Sequence, residues 1–83
     1  MTHIEIFEEL KNIIEKEFGI PKEHIEEDSN LDEDLNITDL EIEDLISKVE
    51  EVFSTKIPQE EAENFKKVQD IVTYLYENVD SNT

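Results

Sequence analysis

Apolar residues recur along this chain at three- and four-residue intervals, in runs separated by polar or turn-forming stretches. That interval places side chains on one face of an α-helix, so the pattern predicts helices and not a sheet. The most informative run is Leu40, Leu45, Ile46, Val49, Val52 and Phe53, which predicts a helix of about four turns ending near Phe53. Glu43, Asp44, Glu50 and Glu51 fall away from its apolar face. Thr38 is placed as its N-cap and Glu41 follows three positions later. At that spacing the two residues satisfy each other's free N–H groups.

The same reasoning predicts a first helix from about Ile4 to Glu17, with Phe7, Leu10, Ile13, Ile14 and Phe18 on one stripe. Gly19 stops it, because glycine takes the left-handed conformation at a helix end without cost. Ile20 precedes Pro21 and must leave the α region there. A long connection from Pro21 to Ile37 follows. Ile25, Leu31, Leu35 and Ile37 are spaced along it as apolar pins, which predicts an ordered, packed loop, with Asn30 capping a short turn that begins at Leu31. Ser54, Thr55 and Lys56 make the turn after the second helix. Ile57 to Phe65 predicts a short third helix with Pro58 in its first turn and Gln59, Glu60 and Glu61 at the positive end of its dipole. Val68, Ile71, Val72, Leu75 and Val79 predict a last helix over about Val68–Asn78, with Tyr74 and Tyr76 on opposite faces, one packed and one exposed. Residues Asp80–Thr83 are expected to fray.

Composition narrows this to one all-α domain over residues 1–83, with 76–83 as a partly frayed tail. Eighty-three residues with one Gly and two Pro supply little turn chemistry for a sheet, and too small a body for the deep pocket that shelters most catalysis. There is no Cys, which removes disulfides, thiolate metal sites and a cysteine nucleophile, and suits a reducing cytoplasm. The acidic start, Met1–Glu9, lacks the apolar run of a signal peptide, and no stretch is long enough to span a membrane. Charge changes the picture most. Twenty-four acidic residues against seven basic ones give a net charge of −17. A field of that sign repels nucleic acid and anionic lipid and steers the molecule toward basic surfaces.

The stretch Asp34-Leu35-Asn36-Ile37-Thr38-Asp39-Leu40, running into an acidic amphipathic helix, resembles the centre of the acyl carrier protein family, where Asp-Leu-Gly-x-Asp-Ser-Leu does the same. The resemblance extends over most of the chain. Phe18-Gly19-Ile20 is similar to that family's exit from its first helix and Glu33-Asp34-Leu35 to its approach to the motif. Glu50-Glu51-Val52-Phe53, Ile57-Pro58, Glu60-Glu61-Ala62-Glu63 and Val68-Gln69 follow its second half without gaps. It implies a four-helix bundle of three longer helices and one short third helix, with a long first loop. It also implies a non-enzymatic protein that docks to enzymes of acyl, lipid or polyketide-type metabolism, fatty acid biosynthesis among them.

One departure dominates. Asp39 stands where the family has the serine that carries phosphopantetheine. A carboxylate attacking phosphorus gives a mixed anhydride that water cleaves, so no cofactor is expected on the chain as written; phosphopantetheine would be expected if position 39 were Ser. Two readings of Asp39 follow. It is a favourable first-turn residue left after carrier function was lost, or its charge imitates the phosphate of a loaded carrier. The Thr38 hydroxyl, one position early, is better used as the cap. Asp39, Glu43 and Ser47 share one helical stripe, acidic and polar where the family has serine, an apolar residue and often methionine. Asn36 replaces the family's Gly and still tolerates a left-handed turn.

The resemblance makes Asp39, Leu40, Glu43, Asp44, Ser47, Glu50 and Glu51 the candidate docking residues, for a monomer that meets enzymes with a basic surface. An alternative is a carboxylate-based divalent-cation-binding or regulatory interaction module. Asp28, Asn30 and Asp32 have the first spacings of a calcium loop, but Glu33 stands where that loop requires Gly and Asp39 where it requires Glu. Asp28, Asp32 and Asp34 remain the metal candidates. His3 and His24 are isolated in sequence and are placed on the surface.

Overall fold

The computed structural model of the chain describes residues 1–78; Val79 and the expected frayed end lie outside them. The described residues form α1 (His3–Phe18), α2 (Asp39–Phe53), α3 (Gln59–Ala62) and α4 (Val68–Asn78), with a 3₁₀ turn at Lys22–His24. They contain no strand, only one isolated bridge between Asn30 and Lys67. This is the all-α bundle of three longer helices and one short one. α1 packs against both α2 and α4. Residues 76–78 of the expected tail are the last turn of α4.

α1 begins one residue earlier than its apolar stripe implies, because Thr2 caps it. The Glu5 N–H donates to Thr2 Oγ1 at 3.1 Å and the Thr2 N–H to Glu5 Oε1 at 2.8 Å. Gly19 ends it at φ 71°, and its N–H donates to the Glu15 carbonyl at 2.8 Å. Ile6, Leu10, Ile13 and Ile14 are buried, whereas Phe7 and Phe18 only flank the core. The stripe is centred on Ile6 because α1 lies between two helices. Phe7 stays at its edge, under the Lys11 ammonium, 4.5 Å from the ring centre.

The long connection is packed as its spacing predicts, and Ile25, Leu31, Leu35 and Ile37 all join the core. Asn30 caps the turn, its Oδ1 accepting from the N–H groups of Asp32 (3.0 Å) and Glu33 (2.9 Å). The loop is also stitched to the start of α4. The Leu31 N–H donates to Lys66 O (2.9 Å), Val68 N–H to Ser29 O (3.0 Å) and Gln69 N–H to Glu27 O (2.8 Å). Those bonds satisfy backbone groups that an irregular segment would otherwise leave unpaired against the core.

In α2 the buried face is Leu45, Ile46, Val49 and Phe53, with Ile42 packed at its edge. Leu40 and Val52, expected on that face, are 77% and 44% exposed. At about 100° per residue, Leu40 falls nearly opposite the line through Ile42 and Val49. A spacing count that starts from Leu40 therefore mistakes an outward residue for an inward one.

α3 is shorter than the Ile57–Phe65 run. Pro58 stands at its N-cap with ψ 147°, not inside the first turn. Beyond Ala62 the bonds tighten, Asn64 N–H to Glu61 O at 3.0 Å and Phe65 N–H to Ala62 O at 3.2 Å. The residues at its two ends, Ile57 and Phe65, are buried, and no residue within α3 is. α4 has the expected bounds and buries Val68, Ile71, Val72 and Leu75. Tyr74 packs against the core, its ring edge-on to Phe65 with centres 5.9 Å apart, while Tyr76 is exposed.

Candidate functional site

Position 39 is set by the loop before it and the cap behind it. Asn36 takes the left-handed conformation at φ 59°, and Ile37 pins the chain into the core. The chain then enters α2 through a complete capping box. The Thr38 N–H donates to Glu41 Oε1 at 2.9 Å and the Glu41 N–H to Thr38 Oγ1 at 3.3 Å. The Thr38 hydroxyl donates to Glu41 Oε1 at 3.2 Å, so its oxygen is committed to the cap. Asp39 is therefore the first residue of α2, exposed, and in no ion pair among the described residues. A carboxylate is stabilised there by the positive end of the helix dipole.

The candidate docking residues divide in three. Asp39, Leu40, Glu43, Asp44 and Ser47 are exposed together on one side of α2. Glu51 is exposed on the same side and pairs with Lys48 at 3.4 Å; Lys48 also reaches Glu17 of α1 at 3.8 Å. Glu50 is different. It is half-buried, and its Oε2 accepts the Ile57 N–H at 2.7 Å. Sequence spacing places Glu50 with the outward acids and carries no sign of this bond, which depends on where the Ser54–Lys56 turn returns the chain.

An open groove of about 550 Å³ borders Asp39, between α2, α3 and the first loop. Ile42, Ala62 and Phe65 contribute its apolar surface, Asp39 and Glu43 part of its acidic edge, and Lys66 lies beside them. A larger groove, about 820 Å³, runs between α1 and α2 past Val52 and Lys48, remote from position 39.

Asp28, Asp32 and Asp34 are exposed, and the Asp34 carboxylate accepts the Asn30 N–H at 2.7 Å. Among the described residues no three His, Cys, Asp or Glu side chains are gathered to hold a metal ion. His3 and His24 are both exposed; His3 stacks on Tyr76 with ring centres 4.0 Å apart. Partial burial raises the Tyr74 phenol above its ordinary value of 10.0, and the Glu61 and Glu50 carboxylates push it the same way. Its hydroxyl donates to the Lys56 carbonyl at 3.2 Å. Among the described residues no helix is long and apolar enough to cross a membrane.

Comparison with known proteins adds three findings. Residues 8–75 match the family model described as a phosphopantetheine attachment site. The chain is 33% identical over 79 residues to the acyl carrier protein of Campylobacter hominis, which covers 95% of this chain and 99% of that protein. It is 35% identical over 75 residues to the acyl carrier protein of Helicobacter hepaticus (90% and 99% covered) and 37% identical over 75 residues to that of Borreliella burgdorferi (90% and 94%).

Proposed function

The chain belongs to the acyl carrier protein family, whose members are carriers and not catalysts, and from that premise we propose that it is a docking partner for acyl-metabolism enzymes that bears no phosphopantetheine arm. Asp39 stands where the resemblance places the attachment serine, and it has no hydroxyl to give to the arm. The observation that carries this reading is the state of the neighbouring hydroxyl. Thr38 Oγ1 is held on both its donor and acceptor sides by Glu41, so it does not substitute for the missing serine. The residues at this position do not fit the cofactor.

Docking needs no cofactor. The exposed carboxylates of Asp39, Glu43 and Asp44 border Leu40, a large apolar side chain left in water. Such a face pairs with a basic surface that has an apolar hollow. Its charge raises the encounter rate, and burying Leu40 supplies contact energy, about 1.5–3 kcal/mol at full burial. At −17 the chain repels both nucleic acid and its own copies, which favours a monomer, and the absence of Cys suits a reducing cytoplasm.

The test is direct. Incubate the protein with coenzyme A and a broad-specificity phosphopantetheinyl transferase and measure its intact mass. The mass stays unchanged if the reading is right; a stable added arm at any residue overturns it.

A further inference from the structure

α3 is the least anchored helix of the bundle, and it forms one wall of the groove beside Asp39. None of its four residues is buried, and it has no extensive packing against another helix. What holds it are Ala62, partly buried against the core, its flanks Ile57 and Phe65, and two hydrogen bonds to the backbone just before it. Glu50 Oε2 accepts the Ile57 N–H at 2.7 Å, from the last turn of α2. The Tyr74 hydroxyl donates to the Lys56 carbonyl at 3.2 Å, from α4. The two bonds grip adjacent residues from two different helices.

We propose that Glu50 is a positioning residue. Its carboxylate straps the chain at Ile57, so that α3 stands as the wall of the groove beside Asp39 and Glu43. The bond runs from a backbone donor to a charged acceptor, which makes it stronger than a neutral one. It spans seven positions, across the left-handed Ser54 at φ 54° and the turn after it, where the chain reverses. Glu50 therefore acts on the docking surface through α3 and not by touching the partner. The consequence for docking rests on the function proposed above; the strap itself does not.

Glu50 is in none of the ion pairs among the described residues, so no cation competes with the Ile57 N–H for its carboxylate.

The experiment is NMR on the whole chain, with three readouts. The Ile57 amide proton should move upfield in Glu50→Met, where no acceptor replaces the carboxylate. Glu50→Met, similar in size but without an acceptor, should raise amide exchange across Gln59–Phe65 by about tenfold or more while Leu10 and Ile13 of α1 keep their rates. Glu50→Gln retains an acceptor oxygen and should keep α3 exchange within about threefold of the parent. An Ile57 amide that keeps its chemical shift in Glu50→Met overturns the strap. So does a Glu50→Met protein whose α3 exchange matches the parent, or one whose exchange rises equally in α1. None of these readouts involves a partner, so a failure of docking and a failure of the strap are told apart.

Discussion

α1 and α2 start with the same device and put it to different uses. Thr2-His3-Ile4-Glu5 and Thr38-Asp39-Leu40-Glu41 are both complete capping boxes, and in each the second helical residue is an apolar side chain in water, Ile4 at 70% and Leu40 at 77% exposed. The first helical residues diverge. His3 is stacked on the ring of Tyr76, from the last turn of α4. Asp39 meets no ion-pair partner among the described residues and borders a groove. The local pattern Thr-x-x-Glu therefore determines how a helix begins and says nothing of what its first residue is for. Surroundings decide that: a tyrosine in one case, an open acidic face in the other.

The residue before each box offers the largest way to break the likeness. Ile37 precedes Thr38 and is 1% exposed, whereas Met1 precedes Thr2 and is 57% exposed. Ile37→Ala should cost about 2–4 kcal/mol in urea unfolding, as expected for a buried isoleucine cut to its Cβ. Leu40→Ala and Ile4→Ala should each stay within about 0.5 kcal/mol, as surface changes do. A similar cost for Leu40→Ala would show that it is packed and not presented.

Removing the caps tests whether the boxes are alike in energy. Thr2→Ala and Thr38→Ala should each lower stability by about 1 kcal/mol. If only Thr38→Ala did so, the α1 box would be geometry without energetic weight.

α4 separates the two regions further, because Tyr76 serves His3 while Tyr74 serves the chain before α3. The Tyr74 phenol has its pKa raised by folding, so the fold favours the neutral form. That stability is complete below the ordinary value of 10.0 and is lost as pH rises through the raised one. Thermal unfolding followed above about pH 10 should show this loss in the parent and less of it in Tyr74→Phe.

The smallest effects are at the first helical residues themselves. His3→Ala should cost about 0.5 kcal/mol, for the exposed stack on Tyr76. Asp39→Asn should be close to neutral for folding, since the dipole contribution of about 0.3–1 kcal/mol is offset in part by relief of the like-charge Asp39–Glu43 pair. A clear gain or loss at Asp39 would mean that its carboxylate has a role inside the fold.

Much of the bundle was legible from spacing. The four pins of the long loop, the Thr38 box, the left-handed turns at Gly19 and Asn36 and the bounds of α4 all follow from residues close in sequence. The differences share a cause. Intervals place Leu40 and Val52 inward, but they give a periodicity and not the direction of the core. Phe7 and its neighbour Ile6 fit the stripe almost equally, and only the position of α1 between α2 and α4 chooses Ile6. The Thr2 box is written in Thr2-x-x-Glu5, ahead of the apolar run that predicts a start at Ile4. Glu50 was not legible at all. Its partner is a backbone N–H seven residues on, and nothing in the local pattern marks which acid turns inward.

We propose that what keeps the arm off this carrier scaffold is the missing nucleophile at position 39. The most direct test is intact-mass measurement of the parent and Asp39→Ser side by side, with coenzyme A and the same transferase. The account predicts an unmodified parent and an Asp39→Ser protein that gains one phosphopantetheine arm, mapped to residue 39. An arm on the parent, or an Asp39→Ser protein that folds and remains bare, would contradict it.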